Sequence, residues 1–409
     1  MKILWVKPGK ILPLDTGGKL RTYNILRHLS GSHRLTYLSY YAGVRDEAYE
    51  RDVPTHIPGT MCVHTPAQAL TGIRRHLDYL LQIAGPAPYA VSRFADPQVK
   101  RLLQEWIPQR RFDVAVCDFL SSTLNFPREL ATPTALFQHN VESMLWQRKA
   151  DVEPRFLDRA VFKLESAKMQ RFEPEQARRF HHVIAVSETD RTAMSSMVDP
   201  SHISVVPTGV DLSKYRYDPH LRPQGNLVVF TGSMDWQPNI DGVEFFCGEI
   251  WPLVLKKVPE ARFRIVGRDP HARVQKLAST SIEVTGTVPS IIDHLREATA
   301  IVVPLRIGGG TRIKIYEGMA MGKATVSTTI GAEGLDVQHQ RDILLEDSAS
   351  DFADALLLLL QNEGERRRLE AGAAETARKY DWSVITQKFV EVLQRTIDSA
   401  QRRKQPIPA

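Results

Sequence analysis

Cysteine is scarce in this 409-residue chain: Cys62, Cys117 and Cys247 lie far apart, form no CxxC pair and are odd in number. Neither a disulfide framework nor a structural zinc site is expected, and a reducing compartment fits best. Long apolar runs are missing too. The richest, Leu356 to Leu360, sits between Asp354 and Gln361, far below the ~18 residues of a membrane span. The opening Met1-Lys2-Ile3-Leu4-Trp5-Val6-Lys7-Pro8 is a short apolar strand, too short for the core of a signal peptide. A cytoplasmic setting is expected. There is no GxGxxG fingerprint, no Walker GxxxxGKS/T and no DxD pair, so a bound metal is not expected. No basic block is interleaved with aromatics and no zinc-finger spacing occurs, which disfavours nucleic acid.

What is present is ordinary for a globular enzyme: 43% hydrophobic and 24% charged residues, with a net charge of +6. The excess suits a nucleotide diphosphate or anionic lipid, or is simply a solubilising surface. A chain this long exceeds one hydrophobic core, and two domains of roughly 200 residues are expected.

Periodicity supports that division. Short Val/Ile-rich strands alternate with helical stretches: Lys2 to Val6, Arg34 to Tyr40, Met61 to His64, Phe112 to Cys117, Thr134 to Phe137, His182 to Val186 and Ile203 to Val206. The pattern breaks over Thr208 to Gly225, which reads as a linker. It restarts at Asn226 to Thr231 and continues through Arg262 to Val266, Ile282 to Val284, Ile301 to Val303, Ala324 to Ser327 and Ile343 to Leu345. This indicates two α/β domains, each a doubly wound, Rossmann-like parallel sheet. The expected boundaries are 1–208 and 209–381, with 382–409 forming a last helix from Trp382 and a frayed polar tail, Gln401 to Ala409. Ligands in such sheets bind at the carboxyl ends of strands, and a cleft between the two domains is the default site.

The strongest local signal is Pro304-Leu305-Arg306-Ile307-Gly308-Gly309-Gly310-Thr311-Arg312-Ile313-Lys314-Ile315-Tyr316-Glu317. A buried strand runs into three glycines and then a helix, with Thr311 the expected N-cap. Glycines let backbone approach a ligand, and a helix N-terminus offers unpaired N–H groups to an anion. Arg312 and Lys314 oppose the helix dipole by about 0.3–1 kcal/mol each, so an anion is expected to neutralise them. The bland alternative is a glycine-rich turn with two solvated bases. Glu317, further along, has the carboxylate to accept two vicinal hydroxyls of a ribose, although a helical Glu is usually just solvated.

Weaker signals sit at other strand ends. Gly17 and Gly18 precede the first helix. His139, Asn140 and Glu142 follow a strand. Gly232 and Ser233 end the first strand of the second half, where Trp236 reads as a packing anchor. Gly267 and Arg268 end another strand, and Gly331-Ala332-Glu333-Gly334 follows a further one. Each alone has a structural explanation as a loop or packing position.

Taken together, Gly17-Gly18, His139, Gly232-Ser233, Val266-Gly267-Arg268 and Gly308 to Thr328 (GGGTRIKIYEGMAMGKATVST) resemble the family-four (group 1) retaining glycosyltransferases of GT-B fold. The resemblance implies two domains facing across a cleft, the second binding the nucleotide. It assigns the ribose to Glu317 and the diphosphate to Arg312, Lys314 and the amides of Gly310 and Thr311. It gives donor-sugar contact to His139, phosphate proximity to Gly18, and a final helix crossing back to the first domain. Two features depart from the pattern. Gly309 stands where the family often has a first glutamate, and Ser233-Met234 with Asn239 replace the common Arg and Lys.

The expected reaction is sugar transfer from a UDP- or GDP-linked donor, with retention, to a glycan or lipid-linked acceptor, and Glu142 is a candidate for touching that acceptor. A nucleotide-sugar epimerase and a non-catalytic nucleotide-sugar-binding subunit are the competing expectations. The segment Trp146 to Phe180 mixes apolar residues with Arg148, Lys149, Arg155, Arg159, Lys163, Arg171, Arg178 and Arg179. It reads either as a basic amphipathic helix for a peripheral membrane contact or as a helix packed on its domain.

Overall fold

The computed structural model describes residues 1–65, 78–79, 82, 85–223, 225–307 and 312–402. Gly309, Gly310 and Thr311 lie outside the described residues. The chain divides into two compact units, Met1–Pro207 with Ile385–Ala409, and Thr208–Val384.

The first unit holds seven strands: β1 (Lys2–Pro8), β2 (Arg34–Ala42), β3 (Thr60–Thr65), β4 (Val114–Asp118), β5 (Thr134–Phe137), β6 (His182–Ala185) and β7 (Ile203–Val205). They are ordered β3-β2-β1-β4-β5-β6-β7, and all pairs are parallel. The second unit holds β8 (Leu227–Thr231), β9 (Arg262–Val266), β10 (Ile282–Gly286), β11 (Ala300–Val303), β12 (Thr325–Ser327) and β13 (Leu344–Leu345), ordered β10-β9-β8-β11-β12-β13 and again parallel. Every residue of β4, β5, β8 and β11 is buried, as expected where helices cover both faces of a sheet. In each sheet the order reverses beside its first strand, between β1 and β4 and between β8 and β11. Ligands bind in doubly wound sheets in the crevice outside the carboxyl ends at such a reversal.

Three expectations change. Thr208 to Gly225 is not a loose linker. Thr208 and Tyr215 are buried, Val210 bridges Asp381, and the whole stretch belongs to the second unit. The basic segment is not one helix but two, Glu142–Val152 and Phe156–Arg179. The second buries Glu165, Met169, Phe172 and Glu173 against its own unit, while Phe156 and Leu157 at its start are 78% and 76% exposed. Trp236 is 44% exposed rather than a core anchor, and its ring faces Arg312. The last helix, Trp382–Arg402, is longer than one unit needs: Trp382 packs on Gly209 of the second unit, whereas Phe389 stacks on Trp5 at 5.2 Å and meets Phe137 edge-on in the first. Among the described residues no helix is long and apolar enough to cross a membrane. The three cysteines are unbridged.

Candidate active site

In the second unit the site grows from the end of β8. The Gly232 N–H donates to Val266 O at 3.0 Å, and a β-carbon on Gly267 would sit 1.6 Å from Gly232 O. Only glycine at 267 allows that contact. Gly267→Ala should therefore destabilise the unit by about 1–3 kcal/mol, the usual cost of overpacking, measured by urea unfolding. Gly232 leaves room on its other side: a β-carbon there would lie 2.8 Å from Lys314 Nζ and 2.7 Å from Asn239 Nδ2.

Into that space comes Lys314, the second residue of the helix Ile313–Ala320. Its ammonium donates to Asn239 Oδ1 at 3.1 Å and lies 4.1 Å from the Phe230 ring centre. Asn239 in turn donates from Nδ2 to Ser233 O at 2.8 Å. Burial pushes Lys314 down to about 7, the Arg312 guanidinium adds to this, and Glu317 opposes it. Arg312 is 4% exposed, 5.9 Å from the Trp236 ring centre. Neither base is solvated. Arg312 occupies the N-cap position of the helix and provides no side-chain capping bond, while its carbonyl accepts from Ile315 N at 2.9 Å.

Glu317 is half-buried, and burial raises its carboxyl above the usual range. Tyr215 Oη donates to its Oε1 at 2.8 Å. Ser233 Oγ accepts from the exposed Arg268 Nε at 2.8 Å. The structure thus gathers Gly232, Ser233, Gly267, Arg268, Lys314, Arg312 and Glu317 on the carboxyl side of one sheet. Asn239 and Tyr215 were not singled out as site residues from sequence.

In the first unit the residues converge on Asp118, fully buried at the end of β4. Its Oδ1 lies 2.6 Å from His139 Nε2, and its Oδ2 accepts from Thr22 Oγ1 at 2.7 Å and Trp5 Nε1 at 3.0 Å. Arg21 lies 2.7 Å from His139 Nδ1. A guanidinium only donates, so Nδ1 accepts and the imidazole proton sits on Nε2, facing the carboxylate. Burial pushes His139 down to about 4; Asp118 opposes this, and Arg21 and Lys7 add to it. Burial alone would raise Asp118, but His139, Lys7 and Thr22 outweigh it and hold the carboxyl below its usual value. The imidazole is neutral, both its nitrogens are engaged, and it stacks on Phe119 at 3.9 Å.

Gly18 is part of the same arrangement. A β-carbon there would meet Phe119 Cζ at 2.7 Å and His139 Nδ1 at 3.6 Å. Gly17 opens the helix Gly17–Ser32, whose cap Thr16 accepts from Lys19 N. Asn140 is half-buried in the turn before the helix that begins at Glu142. Glu142 is pushed up to about 7, by burial first and then by the charge of Glu173. Glu173 reaches across from the neighbouring helix and accepts from the Glu142 and Ser143 amides at 2.8 and 2.9 Å. Among the described residues no group of three or more His, Cys, Asp or Glu side chains could hold a metal. A separate cavity of about 810 Å³, lined by Asn226, Arg262 and Ile282, lies at the amino ends of β8 to β10, the wrong edge for a ligand of this fold.

Comparison with known proteins agrees with this layout. The model of Glycosyltransferase Family 4 matches residues 17–214, and that of Glycosyl transferases group 1 matches residues 225–362. A phosphatidyl-myo-inositol mannosyltransferase of Mycobacterium leprae is 28% identical over 54% of this chain and 60% of its own length. A GDP-mannose:cellobiosyl-diphosphopolyprenol alpha-mannosyltransferase of Xanthomonas oryzae pv. oryzae is 26% identical over 52% of this chain and 58% of its own length. The chain thus spans about three-fifths of these curated relatives. HepE of Anabaena, solved with UDP and glucose, superposes with a TM-score of 0.65 at 15% identity, over 97% of this chain and all of the other. A sucrose-phosphate synthase of Thermosynechococcus elongatus gives 0.68 at 13% identity, over 98% and 100%. Both likenesses concern the fold.

Proposed function

The chain belongs to the family 4, group 1 glycosyltransferases, of GT-B fold, and from that premise we propose that it moves a hexose from a UDP- or GDP-linked donor with retention and without a metal. The observation that supports this best is the pair Arg312 and Lys314, enclosed at the carboxyl edge of the second sheet beside the glycines of β8 and β9. The diphosphate is the ligand such a pair suits.

When the C1–O bond breaks, its electron pair goes to the β-phosphate oxygen. Arg312 and Lys314 stabilise that charge where it appears. A preorganised donor is worth about 3–4 kcal/mol. Two such donors supply charge that a divalent cation would otherwise bring. In our reading the acceptor hydroxyl attacks C1 on the face the diphosphate leaves, and its proton passes to the departing phosphate oxygen. Glu317 holds the ribose, releasing Tyr215. Asp118 and Arg21 fix His139, so that its ring presents one face beside Gly18 to the donor sugar. The acceptor is a glycan or a lipid-linked molecule; the names of the Mycobacterium and Xanthomonas relatives give phosphatidyl-myo-inositol and a cellobiosyl-diphosphopolyprenol. The family match gives no support to the epimerase reading.

Screening UDP-, GDP- and ADP-sugars for thermal stabilisation and for acceptor-dependent nucleotide release tests the proposal. A donor that stabilises the protein but is never consumed would sink it. Lys314 adds a pH signature. It is half-charged near pH 7 in the free protein, and a diphosphate beside it restores the proton. Nucleotide binding should therefore take up protons at and above about pH 7, and affinity should fall as pH rises past that value. Calorimetry in two buffers of different ionisation enthalpy reads the uptake directly.

A further inference from the structure

The first unit has a cavity of about 330 Å³ at the carboxyl ends of β1 and β4 whose charge the transfer chemistry leaves unused. Its wall carries Lys7, Lys19, Arg93 and Lys149, and Glu142 is the sole carboxylate among its lining residues. Lys19 is already paired with Asp15 at 2.9 Å. Lys7 is different. It is the penultimate residue of β1 and only 4% exposed. Its recorded hydrogen bond goes to the adjoining Pro8 carbonyl at 3.1 Å, and its ammonium sits 5.1 Å from the Phe119 ring centre. An ammonium has three donors, so two remain for a ligand.

Burial pushes the Lys7 ammonium below its ordinary value, and Asp118 lies close enough for its charge to oppose this. Both its oxygens, however, are occupied by His139, Thr22 and Trp5. Burying an ammonium costs several kcal/mol unless something compensates. Arg93 lies over Phe94, and Lys149 is held 4.5 Å from the Trp146 ring centre, which fixes two further cations on the same wall.

We propose that this cavity takes a phosphoryl group carried by the acceptor, with Lys7 at its floor and Arg93 and Lys149 at its side. The inference rests on the glycosyltransferase reading and names the acceptor class, a phosphate ester. Three cations from three separate segments, the strand Lys2–Pro8, the end of the helix Tyr89–Ser92 and the helix Glu142–Val152, form a site for a compact multivalent anion, which accepts several charge-assisted hydrogen bonds at once. Glu142, on the same wall, is the group left to meet the acceptor hydroxyl. A second cavity of about 550 Å³ shares Ala90, Arg93, Trp146 and Lys149 with the first and adds Tyr89 and Phe162. The remainder of the ester, polyol or alkyl chain, extends into it.

The test uses the full chain with saturating UDP or GDP, so that the Arg312–Lys314 site is filled. The probes are glycerol 3-phosphate, glycerol, dihexanoyl phosphatidic acid below its micellar concentration, and dihexanoylglycerol. At ten times its Kd a phosphate ester should raise the melting temperature by about 3 °C, and the uncharged partners should leave it unmoved. Lys7→Met keeps the length and apolar body of the side chain and should weaken phosphate binding about tenfold, while UDP or GDP stabilises the variant as before. If Lys7→Met does not fold, Lys149→Ala and Arg93→Ala, both at exposed positions, take its place with the same expected direction.

Response to glycerol 3-phosphate alone identifies a free phosphorylated polyol as the source. Response to phosphatidic acid as well identifies a lipid-linked one, and either result supports the proposal. Equal responses to charged and uncharged probes, or unchanged phosphate affinity in the variants, overturn it. A wild-type chain that UDP and GDP both fail to stabilise counts against the donor reading instead, so the two failures are told apart.

Discussion

Lys314→Met should lower kcat/KM by about 10²–10³-fold, the loss seen when one preorganised donor to a developing oxyanion is removed, and should at the same time stabilise the free protein. The two effects have one origin. The ammonium is enclosed by Phe230, Asn239 and the backbone at Gly232, and it lies in the field of Arg312. Its folded-state pKa of about 7 is below its ordinary value of 10.5, so folding disfavours the proton. The cost is present in full below pH 7 and is relieved as pH rises from 7 towards 10.5, where only the unfolded chain would still be protonated. Methionine removes that cost. A melting temperature at pH 7 higher by at least about 2 °C is expected, the shift that ~1 kcal/mol produces in a domain of this size. The gain should shrink in scans repeated at pH 9. A variant that loses both activity and stability would instead mark Lys314 as an ordinary packing residue.

Asp118→Ala should be among the most damaging substitutions in the first unit. It strands three buried donors, His139 Nε2, Thr22 Oγ1 and Trp5 Nε1, and removes the carboxylate that opposes the effect of Arg21 and Lys7 on His139. Each buried donor left unsatisfied costs about 1–3 kcal/mol. Asp118→Asn keeps one oxygen acceptor, and a smaller loss, about 1–2 kcal/mol, is expected. Urea unfolding compares the two. Transfer should fall in both variants, because His139 loses the partner that fixes its tautomer and ring orientation.

Much of this was legible in the chain beforehand, for a simple reason. Buried parallel strands are nearly continuous Val/Ile runs, and β4, β8 and β11 stand out as such. The glycines at 18, 232 and 267 were legible as close approaches, and each has another group within van der Waals range of where its β-carbon would be. The partners of those glycines were not. Tyr215 meets Glu317 across 102 positions and Asn239 meets Lys314 across 75, and no local period reports such pairings. Tyr215 lay in a stretch rich in turn residues, which reads as linker until it is seen to pack. Asp118 follows the apolar run of its strand by one residue, so it resembled the start of a loop. The N-cap was misplaced because hydroxyl side chains are favoured caps, whereas here Arg312 takes the position without capping.

The stacking of Phe389 on Trp5 joins segments far apart in sequence within a single core. On the ribosome, at about 5–20 residues per second, the Trp5 indole waits about 20–80 s for the ring that covers it. The second unit, contiguous from Thr208 to Val384, is complete before then. The unit that holds Trp5 is therefore the last to close, and a nascent chain stopped short of residue 389 exposes an apolar surface that chaperones would be expected to bind.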